Sequence, residues 1–310
     1  MSALAGGEWC DLWIIAEQAA VSARLTRRPG APLMVVPYAE TAALHRAVVE
    51  QREDRDAFVA RWEDGLYRVK RFLSGRDSGK ETYNIRRLPR QVPSIEQTAL
   101  PQPLAQRLID LGGRKGMIIV TGRVGVGKTW TAGAIFSTWL RQYGGAGVAI
   151  EDPPELPLDG PWGDGYCWQW ERAENELGAA VMESLRSGMR YVFIGEIRSE
   201  GSAREAINAA TAGYSVIFCL HAGSPIEGAQ RLLHLASTVS QEESVASMIA
   251  EGLVALLHID AVRGDDGAER PLIKALFGTP AVARLIRARQ FEHLRGEMDT
   301  QAAKKWRELE

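Results

Sequence analysis

The residues best suited to chemistry form the run Gly122-Arg-Val-Gly-Val-Gly-Lys-Thr129. The run fits the spacing G-x-x-x-x-G-K-[ST] in full, with an apolar stretch before it and a helical pattern after it. Gly122, Gly125 and Gly127 let the chain curl so that backbone N–H groups point inward, and a helix N-terminus behind them completes an anion cradle. In such a cradle Lys128 reaches the β- and γ-phosphates of a nucleoside triphosphate, and the Thr129 hydroxyl holds Mg²⁺.

A phosphate loop needs acidic partners for metal and water. Val192-Phe-Ile-Gly-Glu196 is an apolar strand ending in a carboxylate, so Glu196 is placed to orient Mg²⁺ or its water. Glu151, Asp152 and Glu155 cluster just past another short strand, with Pro153 and Pro154 fixing the loop between them, and one of them is a candidate general base. His221 ends a strand on the same edge and is placed to sense a γ-phosphate. Arg172, Arg186, Arg198, Arg204 and Arg231 are candidates for stabilising transition-state charge.

These groups need a scaffold that brings strand ends together. Residues 117–121, 148–150, 192–194 and 216–220 are near-continuous apolar strands. They alternate with helices expected at 128–142, 177–187, 201–212 and 226–236, which implies a parallel sheet covered on both faces. Further helices are expected over 242–257 and 281–294, with a polar tail that frays from 301. The first part of the chain differs. Residues 21–28 and 39–55 have mixed helical character, and 65–72 and 81–88 suit the two strands of a hairpin with a turn at 74–80. Prolines 89, 93, 101 and 103 then punctuate a linker. The expected organisation is an α+β N-terminal domain at 1–95, a linker at 96–104 and an α/β phosphate-loop domain at 105–310.

Composition narrows the field. The 310 residues are 45% hydrophobic and 25% charged, the balance of a folded globular chain. Lys+Arg 37 against Asp+Glu 39 disfavours a dominantly basic nucleic-acid binder. Cys10, Cys167 and Cys219 lie far apart and make neither a four-cysteine zinc site nor a disulfide framework. No apolar run approaches the ~20 residues of a membrane helix, and Glu8 and Asp11 stand where a signal peptide carries positive charge. A cytoplasmic location is expected.

The phosphate loop, Ile150-Glu-Asp-Pro-Pro-Glu155, Ile194-Gly-Glu-Ile-Arg198 and Ala212-Gly-Tyr…Leu-His221 occur in an order that resembles the type II/type IV secretion ATPase superfamily. They look like its Walker A, Asp box, Walker B and His box. The likeness runs over roughly residues 60–295 and is closest to the PilT-like branch of pilus retraction ATPases, with its relatives in conjugation and type IVB secretion. The resemblance implies a P-loop NTPase (RecA-like) core with a smaller, PAS-like α+β N-terminal domain, ATP and Mg²⁺ as cofactors, and a homohexameric motor. It assigns nucleotide binding to Gly122, Arg123, Val124, Gly125, Val126, Gly127, Lys128, Thr129 and Trp130, and the metal to Thr129 and Glu196. Glu155 looks like the catalytic base, Glu196 like the Walker B glutamate, and His221 and Arg231 like the His-box pair. By the same resemblance Arg68 and Arg86 would come from an N-terminal domain closing over nucleotide.

The implied partners are other copies of the chain and inner-membrane components of a pilus or secretion machine, with peripheral membrane association through them and no direct nucleic acid. Two departures stand out. Ala222 replaces the usual Thr after the His, and Gly188-Met-Arg190 replaces an Asp-Pro-Asp before the Walker B strand. They motivate a second reading, a nucleotide-gated scaffold of the same machinery with little turnover.

Overall fold

The computed structural model describes residues 4, 9–17, 20–27, 31–52, 54–73, 79–263 and 269–306. The chain separates into two compact units. The first comprises Met1–Gln91 with Pro153–Pro157, and the second Val92–Asp152 with Leu158–Glu310.

The first unit is built on strands β1 (Asp11–Glu17), β2 (Ala20–Thr26), β3 (Met34–Val36), β4 (Ala57–Trp62), β5 (Gly65–Leu73) and β6 (Lys80–Arg87), with helix α1 (Tyr38–Glu50). Among the described residues these strands form one sheet in the order β3-β2-β1-β6-β5-β4. Every neighbouring pair is antiparallel. Thr41, Leu44, His45 and Val48 form the buried stripe of α1, and Leu12, Ile14, Phe58, Val69 and Ile85 are buried in the sheet. Full burial of each such aliphatic or aromatic side chain contributes roughly 1.5–3 kcal/mol.

The expected hairpin is present as β5 and β6, which pair from Tyr67↔Arg87 to Leu73↔Glu81. Most of its expected turn, residues 74–78, lies outside the described residues. Residues 21–28 are a correction: helical character was expected, and residues 21–26 lie in strand β2, while residue 28 lies outside the described residues. Ala23 and Leu25 are buried while Ser22 and Arg24 are exposed, a period of two that pairing with β1 enforces over local propensity.

The second unit carries α2 (Gln102–Asp110), β7 (Gly116–Gly122), α3 (Lys128–Tyr143), β8 (Gly145–Glu151), β9 (Gly160–Trp162), β10 (Gly165–Glu171), α4 (Leu177–Arg186), β11 (Tyr191–Ile194), α5 (Glu200–Thr211) and β12 (Ser215–His221). It continues with α6 (Pro225–Ala236), α7 (Glu242–Gly252), β13 (Leu253–Arg263), β14 (Glu269–Phe277), α8 (Pro280–Arg287) and α9 (Leu294–Ala303). Its sheet runs β14-β13-β7-β12-β11-β8-β10-β9. The interior strands are parallel, and β14 and β9 close the two edges in antiparallel fashion.

The parallel strands are buried on both faces, as the unbroken apolar runs require. Met117, Ile119, Val148, Ile150, Val192 and Phe218 pack into the core shared with α4 to α9. On the opposite face Phe136 and Trp139 of α3 meet Phe193 and Tyr191, with ring centroids 5.5 and 6.1 Å apart. This is the expected α/β class with a parallel sheet.

Four stretches of the second unit differ from expectation. Residues 96–104 carry part of the 3-10 turn Ile95–Gln97 and the start of α2, because Pro101 and Pro103 sit where a helix begins and a missing N–H costs nothing. The helix expected over 242–257 stops at Gly252, and Leu253–Leu257 enter the sheet as β13. A short apolar run reads alike as a buried strand or a buried helix. The helix expected over 281–294 is interrupted after Arg287, with Arg289 at φ +57° turning the chain toward α9. Gln301, expected in a fraying tail, is buried: its side chain accepts from Phe277 N–H at 2.7 Å and donates to Phe277 O at 3.1 Å.

Candidate functional site

The glycine-rich loop leaves the carboxyl end of β7 and enters α3, the strand–loop–helix context its spacing demands. Gly125 and Gly127 have φ of +80° and +94°, a left-handed backbone that a side chain would strain. Alternation of this kind turns successive N–H groups toward one concavity. A Cβ added at Gly125 would meet nothing within 4 Å, so the loop opens onto free space there. Val124 is exposed at the tip, and Thr129 and Trp130 are half-buried in the first turn of α3.

Sheet register brings the other groups to this loop. The β7–β12 ladder ends with His221 opposite Gly122. Lys128 is buried, and its Nζ lies 2.9 Å from the Arg123 carbonyl oxygen and 3.0 Å from His221 Nδ1. On the other side of the ring, His221 Nε2 stands 2.5 Å from Glu196 Oε1. That approach lacks hydrogen-bond alignment, so the buried Oε1 atom has no hydrogen-bond partner. The second carboxylate oxygen of Glu196 accepts from Arg198, whose Nε is 2.7 Å away and whose Nη2 also bonds it. Burial lowers the Arg198 pKa, but the Glu196 carboxylate outweighs it and holds the guanidinium above its ordinary value. Lys128, His221, Glu196 and Arg198 therefore form one continuous line along the carboxyl edge of the sheet.

Glu151 ends β8 and is buried, accepting from Gln169 Nε2 at 2.6 Å. Asp152 accepts from the Glu174 N–H at 2.8 Å. Glu155 belongs to the segment that packs with the first unit, where Arg68 Nη1 pairs with its Oε1. Arg86 is also committed within that unit. Its Nε and Nη2 each lie 2.8 Å from an Asp11 carboxylate oxygen, in the geometry of a two-pronged ion pair. Burial raises the Asp11 pKa, and the hydrogen bonds from Arg86 outweigh it and hold the carboxyl below its usual range. Arg68, Arg86 and Asp11 share one transverse row of the sheet, since Arg86 pairs with Arg68 on one side and with Asp11 on the other.

Of the other arginines, Arg231 is exposed on α6 and Arg186 is exposed on α4. Arg204 is engaged by Gln241 Oε1 at 2.8 Å and Glu200 at 3.0 Å, and Arg172 lies over the Trp170 ring at 5.6 Å.

Sequence reasoning missed Asp260 and His258, because both lie on β13, whose first residues, Leu253–Leu257, read as the end of a helix. Arg123 Nε donates to Asp260 Oδ1 at 2.8 Å, and His258 Nδ1 lies 3.0 Å from Thr121 Oγ1, directly before the loop. Burial holds the His258 imidazole below its ordinary pKa. The available signal was Gly264-Asp-Asp-Gly267, a turn motif between two runs rich in β-formers.

The residues present fit a phosphate-bearing ligand with a hard cation. The cradle is open at Gly125, a buried ammonium lies at its base, and Thr129 offers an oxygen in the first helical turn. Among the described residues no group of three or more His, Cys, Asp or Glu could hold a metal by itself. Mg²⁺ suits such a place, because it takes one or two protein oxygens and completes its shell with phosphate and water.

Comparison with known proteins agrees with this architecture. The chain is 28% identical over 214 residues to the protein YggR of Escherichia coli K12, covering 66% of this chain and 61% of that protein. It is 25% identical over 222 residues to the type IV pilus ATPase PilU of Pseudomonas aeruginosa PAO1, covering 68% and 54%. The chain thus spans less than two thirds of the length of these relatives. A crystal structure of the pilus retraction motor PilT with bound ADP superposes with a TM-score of 0.74 at 21% identity, over 94% of this chain and 86% of that one. The PilT-like fold, a RecA-like core with an N-terminal domain, is therefore shared. The model of the type II/IV secretion system protein family matches residues 80–292, and this chain belongs to that family, with PilT-like proteins among its relatives.

Proposed function

We propose that the chain binds MgATP on the loop Gly122–Thr129 and hydrolyses it, as the motor of a type IV pilus or secretion machine. The observation that carries this reading is the line Lys128–His221–Glu196–Arg198 beside a complete phosphate loop. Lys128 grips the β- and γ-phosphates, Thr129 holds the metal, and Glu196 orients the metal or its water. When bound, Mg²⁺ neutralises charge on the phosphoryl oxygens. Glu155 takes the proton of the attacking water. Arg231, and Arg68 and Arg86 from the same or a neighbouring copy, spread the developing charge.

The assembly proposed is a homohexamer, working on the cytoplasmic face of the inner membrane through membrane partners and without direct nucleic acid. Among the described residues no helix is long and apolar enough to cross a membrane. Steady-state phosphate release tests the assignment. Lys128→Ala and Glu196→Gln should each abolish turnover while circular dichroism stays native, and wild-type hydrolysis by either variant refutes the site.

Ala222 and Gly188-Met-Arg190 motivate one other reading, a nucleotide-gated scaffold. A scaffold binds ATP yet releases negligible phosphate even with its membrane partner present.

A further inference from the structure

Arg123 is the first residue of the loop after Gly122, and its side chain is 62% exposed. It is nonetheless fixed at both ends. Its carbonyl oxygen accepts from Lys128 Nζ at 2.9 Å. Its guanidinium reaches strand β13, with Nε donating to Asp260 Oδ1 at 2.8 Å, Nη2 2.7 Å from the same oxygen and Nη2 donating to Ala261 O at 3.1 Å. Asp260 is itself anchored, accepting from the Ala261 N–H at 2.8 Å. That N–H and the Arg123 guanidinium hold its carboxyl below the usual range.

The position of this contact is informative. The backbone ladder between β7 and β13 ends at Gly122↔Ile259. Arg123 and Asp260 are the next residue on each strand, so their side chains continue the pairing one step past the last ladder position. One step before the end, Thr121 Oγ1 donates to Leu257 O at 2.9 Å and meets His258. The loop thus departs from a strand end tied to β13 by side chains on both sides of Gly122.

We propose that Arg123 is a positioning residue rather than a phosphate ligand: strapped to Asp260 and Ala261, it fixes the start of the loop and the carbonyl on which Lys128 rests, holding the cradle in shape for a triphosphate. This rests on the nucleotide-binding reading above. A flexible loop must be ordered before it binds, and a strap that orders it beforehand removes that cost.

The test is equilibrium titration with a fluorescent ATP analogue and Mg²⁺, with hydrogen exchange of residues 122–128 in the nucleotide-free protein. Arg123→Ala and Asp260→Asn should each weaken binding about two- to fivefold, the range set by one partly exposed ion pair. The double variant should bind no more weakly than either single one, because both remove the same strap. Each single variant should also speed exchange across the loop without nucleotide. Asp260→Asn keeps the side-chain shape, and Asp260→Ser serves if it fails to fold.

The proposal is overturned if Arg123→Ala weakens binding while Asp260→Asn leaves it unchanged or tightens it, the pattern of a direct phosphate ligand. Unchanged loop exchange in both variants also overturns it. Lys128→Ala separates the two levels. If that variant binds like wild type, the nucleotide reading fails. If it loses binding while Asp260→Asn does not, only the strap fails.

Discussion

Lys128 Nζ lies 3.0 Å from His221 Nδ1 and 2.9 Å from the carbonyl oxygen of Arg123. An ammonium only donates, so in this contact His221 accepts at Nδ1, while its Nε2 stands 2.5 Å from Glu196 Oε1. A triphosphate that draws the ammonium away leaves Nδ1 without that donor, and the ring, with Glu196 behind it, registers the change. On the nucleotide reading proposed above, occupancy of the loop would be linked to the Glu196 carboxylate through one imidazole.

His221→Ala should therefore lower turnover more than affinity. The expected outcome is about a tenfold or greater fall in kcat, with the ATP-analogue Kd changed by less than about threefold. Phosphate release across an ATP titration reads kcat, and equilibrium titration with the analogue reads Kd. Equal loss of affinity and no loss of kcat would make His221 a binding group instead.

Glu155 carries the proposed base chemistry, and its Oε1 pairs with Arg68 Nη1. Glu155→Gln should cut turnover by about a hundredfold and leave analogue binding intact. Single-turnover hydrolysis with pre-bound ATP checks this, because a residue acting only in assembly or product release would still fire once at the wild-type rate.

Stability should fall in mildly acidic solution, above the range in which the depressed carboxyls of Asp11, Glu81 and Asp260 take up protons. His45 and His258 are both buried, and burial holds each imidazole below its ordinary pKa. His45 Nε2 is also buried without a hydrogen-bond partner, so a proton there has no acceptor. Between the folded pKa and the unfolded value of about 6.5, the unfolded chain binds more protons, so stability rises with pH and falls as pH drops below about 6.5. Asp11, Glu81 and Asp260 act lower: their depressed carboxyls lose stability only as pH falls below about 4. Melting curves from pH 7.5 to 5 should show the first loss, and His258→Gln should flatten part of it. An unchanged slope in that variant would contradict the assignment.

The site core was legible because its signals are local. The phosphate loop is one unbroken run, His221 ends the apolar strand β12, and Glu196 follows the apolar strand β11 two residues past its end. What the sequence hid is what depends on non-local register. Asp11 meets Arg86 only because β1 lies beside β6, 75 positions away. Asp260 meets Arg123 only because β13 lies beside β7, and a helical reading through Leu257 removed that strand from view. The edge strand β9 and its neighbour β10 were likewise missed. Tyr166, Trp168 and Trp170 alternate as strand residues should, but Gly160, Pro161, Gly163 and Gly165 around them read as loop.

The central claim is that a triphosphate sits on the loop Gly122–Thr129. A crystal structure of the protein with Mg²⁺ and a non-hydrolysable ATP analogue measures this directly. The account predicts phosphate density within the loop, Lys128 Nζ moved from His221 and the Arg123 carbonyl onto the phosphates, and Thr129 on the metal. Analogue bound elsewhere, with Lys128 still resting on His221, would contradict it.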